Sequence, residues 1–130
     1  MMNNLENLKK GYQDFATGNM EGVVSLWQPD IEWSANTGMP YISSDGIYKG
    51  AEAIVGGVFA HIPAYFDNFN IEISDFIDAG DKIVVVGSYT GNWKATGKEF
   101  KANAIHVWTF KDGKISHFFE AADTAAIMNP

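Results

Sequence analysis

The sequence predicts an α+β fold in which helices come first and an antiparallel sheet follows, with the helices packed on one sheet face. Between Leu5 and Ile62 apolar residues recur at helical spacing. From Asn68 onward they alternate with polar ones, the period-two signature of half-buried strands. The dipeptide Asp112-Gly113, set between two apolar-rich runs, marks a hairpin, because both central residues of a type I′ turn need positive φ.

Leu5, Leu8, Tyr12 and Phe15 fall on one helical stripe, and Gly18 is placed to end that helix in a left-handed cap. Asn19 can cap a second short helix through Glu21, Val23, Val24, Leu26 and Trp27, which Pro29 terminates. Ile31-Glu32-Trp33 reads as a short strand. Residues 36–49, rich in Gly, Pro, Ser, Asp and Tyr, read as a surface loop or flap whose aromatic residues could cover a cavity. A third helix is expected from Ala51 to Ile62, with Ile54, Val55, Val58, Phe59 and Ile62 on one stripe; Gly56-Gly57 weakens it and Pro63 stops it. Phe69, Ile71 and Ile73 open the sheet, and Ala79-Gly80-Asp81 turns into a strand from Lys82 to Trp93. A turn around Ala95 to Lys98 leads into Glu99 to Phe110, the hairpin adds the last strand, and a short turn from Thr124 to Met128 closes the chain.

If the hairpin ladder is regular, Lys111 faces Lys114, Phe110 faces Ile115, Trp108 faces His117 and His106 faces Phe119. Side chains alternate across a strand, so Ala104, His106, Trp108, Phe110, Ile115, His117, Phe119 and Ala121 share one face, joined by Asp123 unless a bulge intervenes. With Ala95 and Lys98 flanking a two-residue turn, Gly87 pairs with His106 and Tyr89 with Ala104, and the missing side chains of Gly87 and Gly91 leave room above the sheet. This gives a concavity lined by Tyr89, His106, Trp108, His117 and Phe119. The opposite face carries Val84, Val86, Ile105, Val107 and Phe118, too apolar for open solvent, which implies a homodimer in preference to a strongly bent sheet.

Length and composition bound the function. A chain of 130 residues with 46% hydrophobic and 14% aromatic content suits one domain, residues 1–130, with a substantial core. The net charge of −7, with all nine basic residues Lys, disfavours nucleic acid and strongly anionic ligands, which need clustered Lys and Arg. The absence of Cys removes thiolate nucleophiles and Cys-bound metals. The polar stretch from Met1 to Gly11 does not read as a secretion signal, and no apolar run approaches the roughly 20 residues of a membrane span, so a soluble cytoplasmic protein with no membrane association is expected.

Three stretches carry a family resemblance: Tyr12-Gln13-Asp14-Phe15 followed by Gly18-Asn19; Asp45 through Ile54; and His106-Val107-Trp108-Thr109-Phe110 through Asp112-Gly113-Lys114-Ile115 to Asp123-Thr124. In order and spacing they resemble the SnoaL-like proteins of the nuclear-transport-factor-2-like superfamily, which also holds ketosteroid isomerases, polyketide cyclases and limonene epoxide hydrolases. The resemblance spans nearly the whole chain. It implies a cone-shaped α+β barrel in which three N-terminal helices close a curved, mostly antiparallel sheet around an apolar pocket, often in a homodimer. Tyr12 is similar in placement to the first-helix tyrosine of the isomerase oxyanion hole, and His106 falls where that site carries a carboxylic acid held neutral to donate a hydrogen bond. Asp123 resembles the late aspartate that serves as base in the cyclases. The chain departs from the isomerases at Trp33, which stands where they have the aspartate base. Lacking Arg, it also cannot reproduce the Asp-Arg-Asp set of the epoxide hydrolases.

Each candidate has a second reading. His106 is a hydrogen-bond donor or proton shuttle, or a core histidine satisfied by a tyrosine or carboxylate. Asp123 is a base whose pKa apolar surroundings raise, or an N-cap for the terminal turn. Tyr12 polarises a carbonyl, or packs in the core with its hydroxyl at the rim. Trp33, Trp108, Tyr89 and Phe119 are core or pocket wall. His106 and His117, diagonal neighbours at about 7–8 Å, lack a third ligand, so no metal is expected. The expected function is binding of a small apolar or aromatic ligand, with isomerisation, cyclisation or dehydration by proton transfer that needs no cofactor. Trp33 motivates the alternative of a non-catalytic ligand-binding or dimerisation module, and the apolar outer face a protein-interaction domain.

Overall fold

The structure, a computed structural model, describes residues 2–130. Asn3 accepts a hydrogen bond from the Glu6 amide at 2.9 Å and so caps α1 (Asn4–Ala16), which the left-handed Gly18 (φ 79°) follows. Asn19 caps α2 (Met20–Val24) in the same way, through the Gly22 amide. This helix is shorter than its apolar residues suggest. Trp27 already belongs to β1 (Trp27–Ser34), and the Leu26 carbonyl accepts from the Ile115 amide at 2.8 Å. Pro29 lies inside β1, between Trp27 and Glu32, where the register with the neighbouring strand shifts and its missing N–H breaks no ladder.

After the loop of residues 35–46, β2 (Ile47–Lys49) pairs back on β1. The single helix expected from Ala51 to Ile62 is instead three pieces: α3 (Ala51–Gly57), a 3-10 turn (Phe59–His61) and α4 (Ile62–Tyr65). Gly56-Gly57 ends the first piece. Pro63 opens the last one, sitting in the first turn where a helix has no use for its N–H.

The remaining strands are β3 (Phe66–Asp78), β4 (Lys82–Trp93), β5 (Glu99–Lys111) and β6 (Lys114–Ala122), followed by α5 (Thr124–Met128). They form a curved six-stranded sheet in the order β2-β1-β6-β5-β4-β3, antiparallel at every pairing except β1 with β6, which is parallel. The mixed α+β architecture with a mostly antiparallel curved sheet is the one the sequence predicts.

Two registers differ from expectation, with opposite consequences. Between β4 and β5 the turn holds four residues, Lys94 to Gly97, because Trp93 donates to the Lys98 carbonyl. Pairing slides by two, so Val85 faces His106 and Gly87 faces Ala104. An even slide preserves the faces, and Phe100, Ala102, Ala104, His106, Trp108 and Phe110 all point into the core. The β5–β6 hairpin turns at Asp112 (φ 53°) and Gly113 (φ 79°) as expected, but Ser116 is an extra residue: Phe110 pairs with Ile115 and Thr109 with His117. This bulge shifts pairing by one and exchanges the faces of everything after it. His117 and Phe119, expected in the concavity, are exposed on the outer face, whereas Phe118 and Glu120 turn inward.

Gly87 is also not a gap above the sheet. A Cβ there would stand 2.3 Å from the Glu72 carbonyl oxygen, so the glycine lets the bulged stretch of β3 around Ser74 press against β4. The buried residues form two adjoining clusters. One is built on Ile31, Ile54, Ile83, Trp33 and Trp108; the other on Phe66, Tyr89, Phe100 and Ile127.

Candidate active site

Helices on one concave sheet face leave an opening that neither fills. A cavity of about 1020 Å³, counted with the open space at its mouth, runs between α1, the residue 35–46 loop and the inner face of the sheet. Its walls are aromatic: Trp33 stacks on Phe118 with ring centroids 3.8 Å apart and meets Trp108 edge-on at 5.6 Å. Met39, Tyr41 and Ile42 of the loop lie along it, as the reading of that segment as a cavity-covering flap expects.

One chain of polar groups crosses this apolar space. Trp108 Nε1 donates to Tyr12 Oη at 2.8 Å, and Tyr12 Oη lies 2.6 Å from His106 Nδ1. The other imidazole nitrogen, Nε2, is 2.5 Å from Tyr89 Oη, which donates to Glu120 Oε2 at 2.5 Å. The second carboxylate oxygen, Oε1, accepts from the Asn36 amide at 3.0 Å. Local structure fixes each member. Tyr12 sits one turn beyond Leu8 on the buried stripe of α1; Tyr89 and His106 occupy inward positions of β4 and β5; the Ser116 bulge turns Glu120 in. Asn36 bonds back to the Ala122 amide through its side chain, tying the loop to the end of β6.

Burial sets the protonation states. Removal from water lowers the His106 pKa from 6.5 to about 3, so the ring is neutral at pH 7. The same desolvation raises the Tyr12 and Tyr89 hydroxyls, and Tyr41 with them, far above neutrality. Glu120 is raised as well, again by burial, with the hydrogen bonds from Tyr89 and the Asn36 amide opposing the shift. Among the described residues it is the only Asp, Glu or Lys that lines the cavity, so the site offers one carboxyl group in apolar surroundings, the setting of a tunable base.

The candidates divide accordingly. Tyr12, His106, Tyr89, Trp108 and Trp33 all line the cavity, and the first four belong to one hydrogen-bonded chain. His117 faces Glu32 on the exterior at 3.4 Å, so the two imidazoles lie on opposite faces of the sheet. Phe119 is 50% exposed and Gly87 lies under β3, neither in the cavity wall. Asp123 is exposed and caps α5, its Oδ1 accepting from the Ala126 amide at 3.1 Å. The carboxyl group in the cavity is Glu120, displaced into it by the bulge. No local sequence signal marks the bulge, because Ser116 is one of four polar residues in the strand, with Lys114, His117 and Glu120. Among the described residues no three His, Asp or Glu side chains gather in a way that could hold a metal, and no helix is long and apolar enough to cross a membrane.

This fold and this cavity define a class. The SnoaL-like domain family matches residues 8–118, and the chain belongs to that family, within the nuclear-transport-factor-2-like superfamily. It is similar to a nuclear-transport-factor-2-like protein from Burkholderia thailandensis, at 30% identity over 100% of both chains with a TM-score of 0.86. A second such protein, of unknown function, from Burkholderia pseudomallei is similar at 26% identity, covering 98% of this chain and 96% of that one, TM-score 0.88. TerC, crystallised with polyporic acid, is similar at 29% identity, covering 96% and 95%, TM-score 0.84. No curated protein matches the chain at a significant level.

Proposed function

We propose that the cavity binds a neutral apolar or aromatic carbonyl compound and moves a proton on it, as an isomerase, cyclase or dehydratase does. The observation that carries this reading is the placement of a raised-pKa carboxyl, Glu120, and a phenol, Tyr12, in one aromatic cavity, linked through His106 and Tyr89. Glu120 accepts the proton of a carbon or oxygen acid. Tyr12, held by Trp108, marks where the substrate oxygen sits as it becomes an enolate, and the aromatic walls exclude water, which strengthens that contact. With no Lys among its lining residues the cavity favours neutral ligands. The crystallisation of a 29% identical relative with polyporic acid supports a small organic ligand.

The test is deuterium wash-in to an apolar aryl ketone with acidic C–H bonds, 2-tetralone, followed by mass spectrometry in D2O. Exchange accelerated by the wild type and at least about a hundredfold slower with Glu120→Gln is the expected result. Saturable thermal stabilisation without exchange, unaffected by Glu120→Gln, would replace the catalytic reading with a ligand-binding module, the option that Trp33 in the cavity wall favours. Neither stabilisation nor exchange across a panel of such ketones overturns the reading.

The outer face carries a second proposal, a homodimer. Ile77, Val84, Val107 and Phe119 lie in register across four strands, and Ile77 and Phe119 are 48% and 50% exposed.

A further inference from the structure

The protons of the polar chain have two self-consistent arrangements, and the charge on Glu120 selects between them. An indole nitrogen only donates, so Tyr12 Oη accepts from Trp108 in both. When Glu120 is ionised its oxygens only accept, so Tyr89 donates to Oε2 and its own oxygen takes the His106 Nε2 proton. Neutral His106 then has a bare Nδ1, which takes the Tyr12 proton, and no hydroxyl in the chain has a proton to offer a ligand. When Glu120 is protonated the Asn36 amide still occupies Oε1, so the added proton lies on Oε2 and points at Tyr89. Tyr89 now donates to Nε2, Nδ1 carries the imidazole proton and donates to Tyr12, and the Tyr12 hydroxyl points its proton into the cavity.

We propose that Tyr12, His106, Tyr89 and Glu120 form a proton relay: Tyr12 is the end that meets the substrate, and Glu120 is the store for the proton that the substrate gives up. This rests on the reading of the cavity as a proton-transfer site and assigns the reacting end of it. A phenolic or enolic O–H at Tyr12 breaks, leaving its electron pair on the ligand oxygen. Its proton forms a new Tyr12 O–H, the former Tyr12 proton passes to His106 Nδ1, the Nε2 proton passes to Tyr89, and the Tyr89 proton passes to Glu120. Every bond broken is matched by one formed, and the imidazole ends neutral in its other tautomer. The new Tyr12 O–H then donates to the ligand oxyanion it has just created, so base and oxyanion donor arise in one event. The substrate class is a neutral phenol or enol, the enol form of a ketone included. His106 and Tyr89 are positioning residues that touch no substrate.

The groups facing Glu120 are Tyr12 of α1, Tyr89 of β4, His106 of β5, and Tyr41 and Asn36 of the loop; none of them is charged at neutral pH. The relay is therefore readable without ligand, by ¹⁵N NMR of the His106 ring in the full chain across a pH titration. The expected result is protonated Nε2 above the Glu120 titration and protonated Nδ1 below it, with the ring neutral on both sides. In Tyr89→Phe the tautomer should no longer follow pH. Should that variant fail to fold, Glu120→Gln, which removes the titrating group, should give the same pH-independent ring. One tautomer throughout the wild-type titration, or an inversion that survives either variant, overturns the relay. Wash-in to 2-tetralone alongside a fixed tautomer would sink the relay and keep the proton-transfer function, whereas inversion without wash-in would do the reverse.

Discussion

His106 and Glu120 are register partners on β5 and β6, and the Tyr89 hydroxyl of β4 lies 2.5 Å from a polar atom of each. A single phenol on a third strand thus satisfies two buried groups at once. Tyr89→Phe leaves one atom of each, His106 Nε2 and Glu120 Oε2, without a partner, and a buried polar atom stripped of its hydrogen bond costs about 1–3 kcal/mol. The variant should lose stability on that scale by chemical denaturation. A Tyr89→Phe/His106→Gln double variant should lose less than the sum of the two single variants, because the two share the contact being removed. Strict additivity would mean that the short contact contributes nothing.

The neutral state of His106 makes a pH prediction with a definite sign. Its folded pKa is about 3 against 6.5 for the ordinary group, so below 6.5 the unfolded chain binds a proton that the folded one does not. Stability falls as pH falls through that window, at up to about 1.4 kcal/mol per pH unit. Glu120 acts oppositely, since a raised carboxyl adds stability at low pH that is lost as pH rises through its folded value. A comparison with His106→Gln isolates the imidazole. Between pH 7 and pH 5 the wild type should lose about 2 kcal/mol more than the variant. Equal losses would show that His106 is charged in the fold or solvated.

The helical stripe of α1, the change of period at the sheet and the Asp112-Gly113 turn were all legible because each is a local pattern with a local cause. Tyr12, Tyr89, His106 and Trp108 were legible as well, since the β4–β5 register slid by two and an even slide leaves faces unchanged. Glu120 was not. A one-residue bulge at Ser116 exchanges inward and outward positions, so a regular ladder assigns His117 and Phe119 to the cavity and leaves Glu120 outside. The choice between the two registers is made by what lies beyond the hairpin: Phe118 stacking on Trp33 of the parallel strand β1, a contact between residues far apart in sequence. The division of the third helix has a local origin instead, with Gly56-Gly57 too weak to carry it and Pro63 able to start a new turn.

Phe119 is turned outward by the same bulge and completes the apolar row with Ile77, Val84 and Val107. If this face joins two copies, Val107→Lys and Phe119→Lys should shift the chain from dimer to monomer in light scattering after size exclusion. Each should leave the fold intact, because neither side chain is fully buried. A wild type that is monomeric at tens of micromolar would rule the homodimer out.

Gly87, under β3, and Ala122, in the cavity wall, provide a contrasting pair of substitutions. Ala122 is half-buried and lies in the cavity wall, so Ala122→Phe should fill the mouth, keep the melting temperature within a few degrees and abolish stabilisation by 2-tetralone. Gly87 looks equivalent from the sequence, yet its Cβ position is occupied by the Glu72 carbonyl at 2.3 Å and the Glu72 carbonyl carbon at 3.2 Å. Backbone cannot swing aside as a flexible side chain does, so even Gly87→Ala must part β3 from β4, at a cost of about 1–3 kcal/mol or more from overpacking. Gly87→Leu should fail to fold, with no selective effect on ligand. A well-folded Gly87→Leu that binds 2-tetralone less tightly would mean that the glycine faces the cavity after all and that β3 does not press on β4 at Ser74.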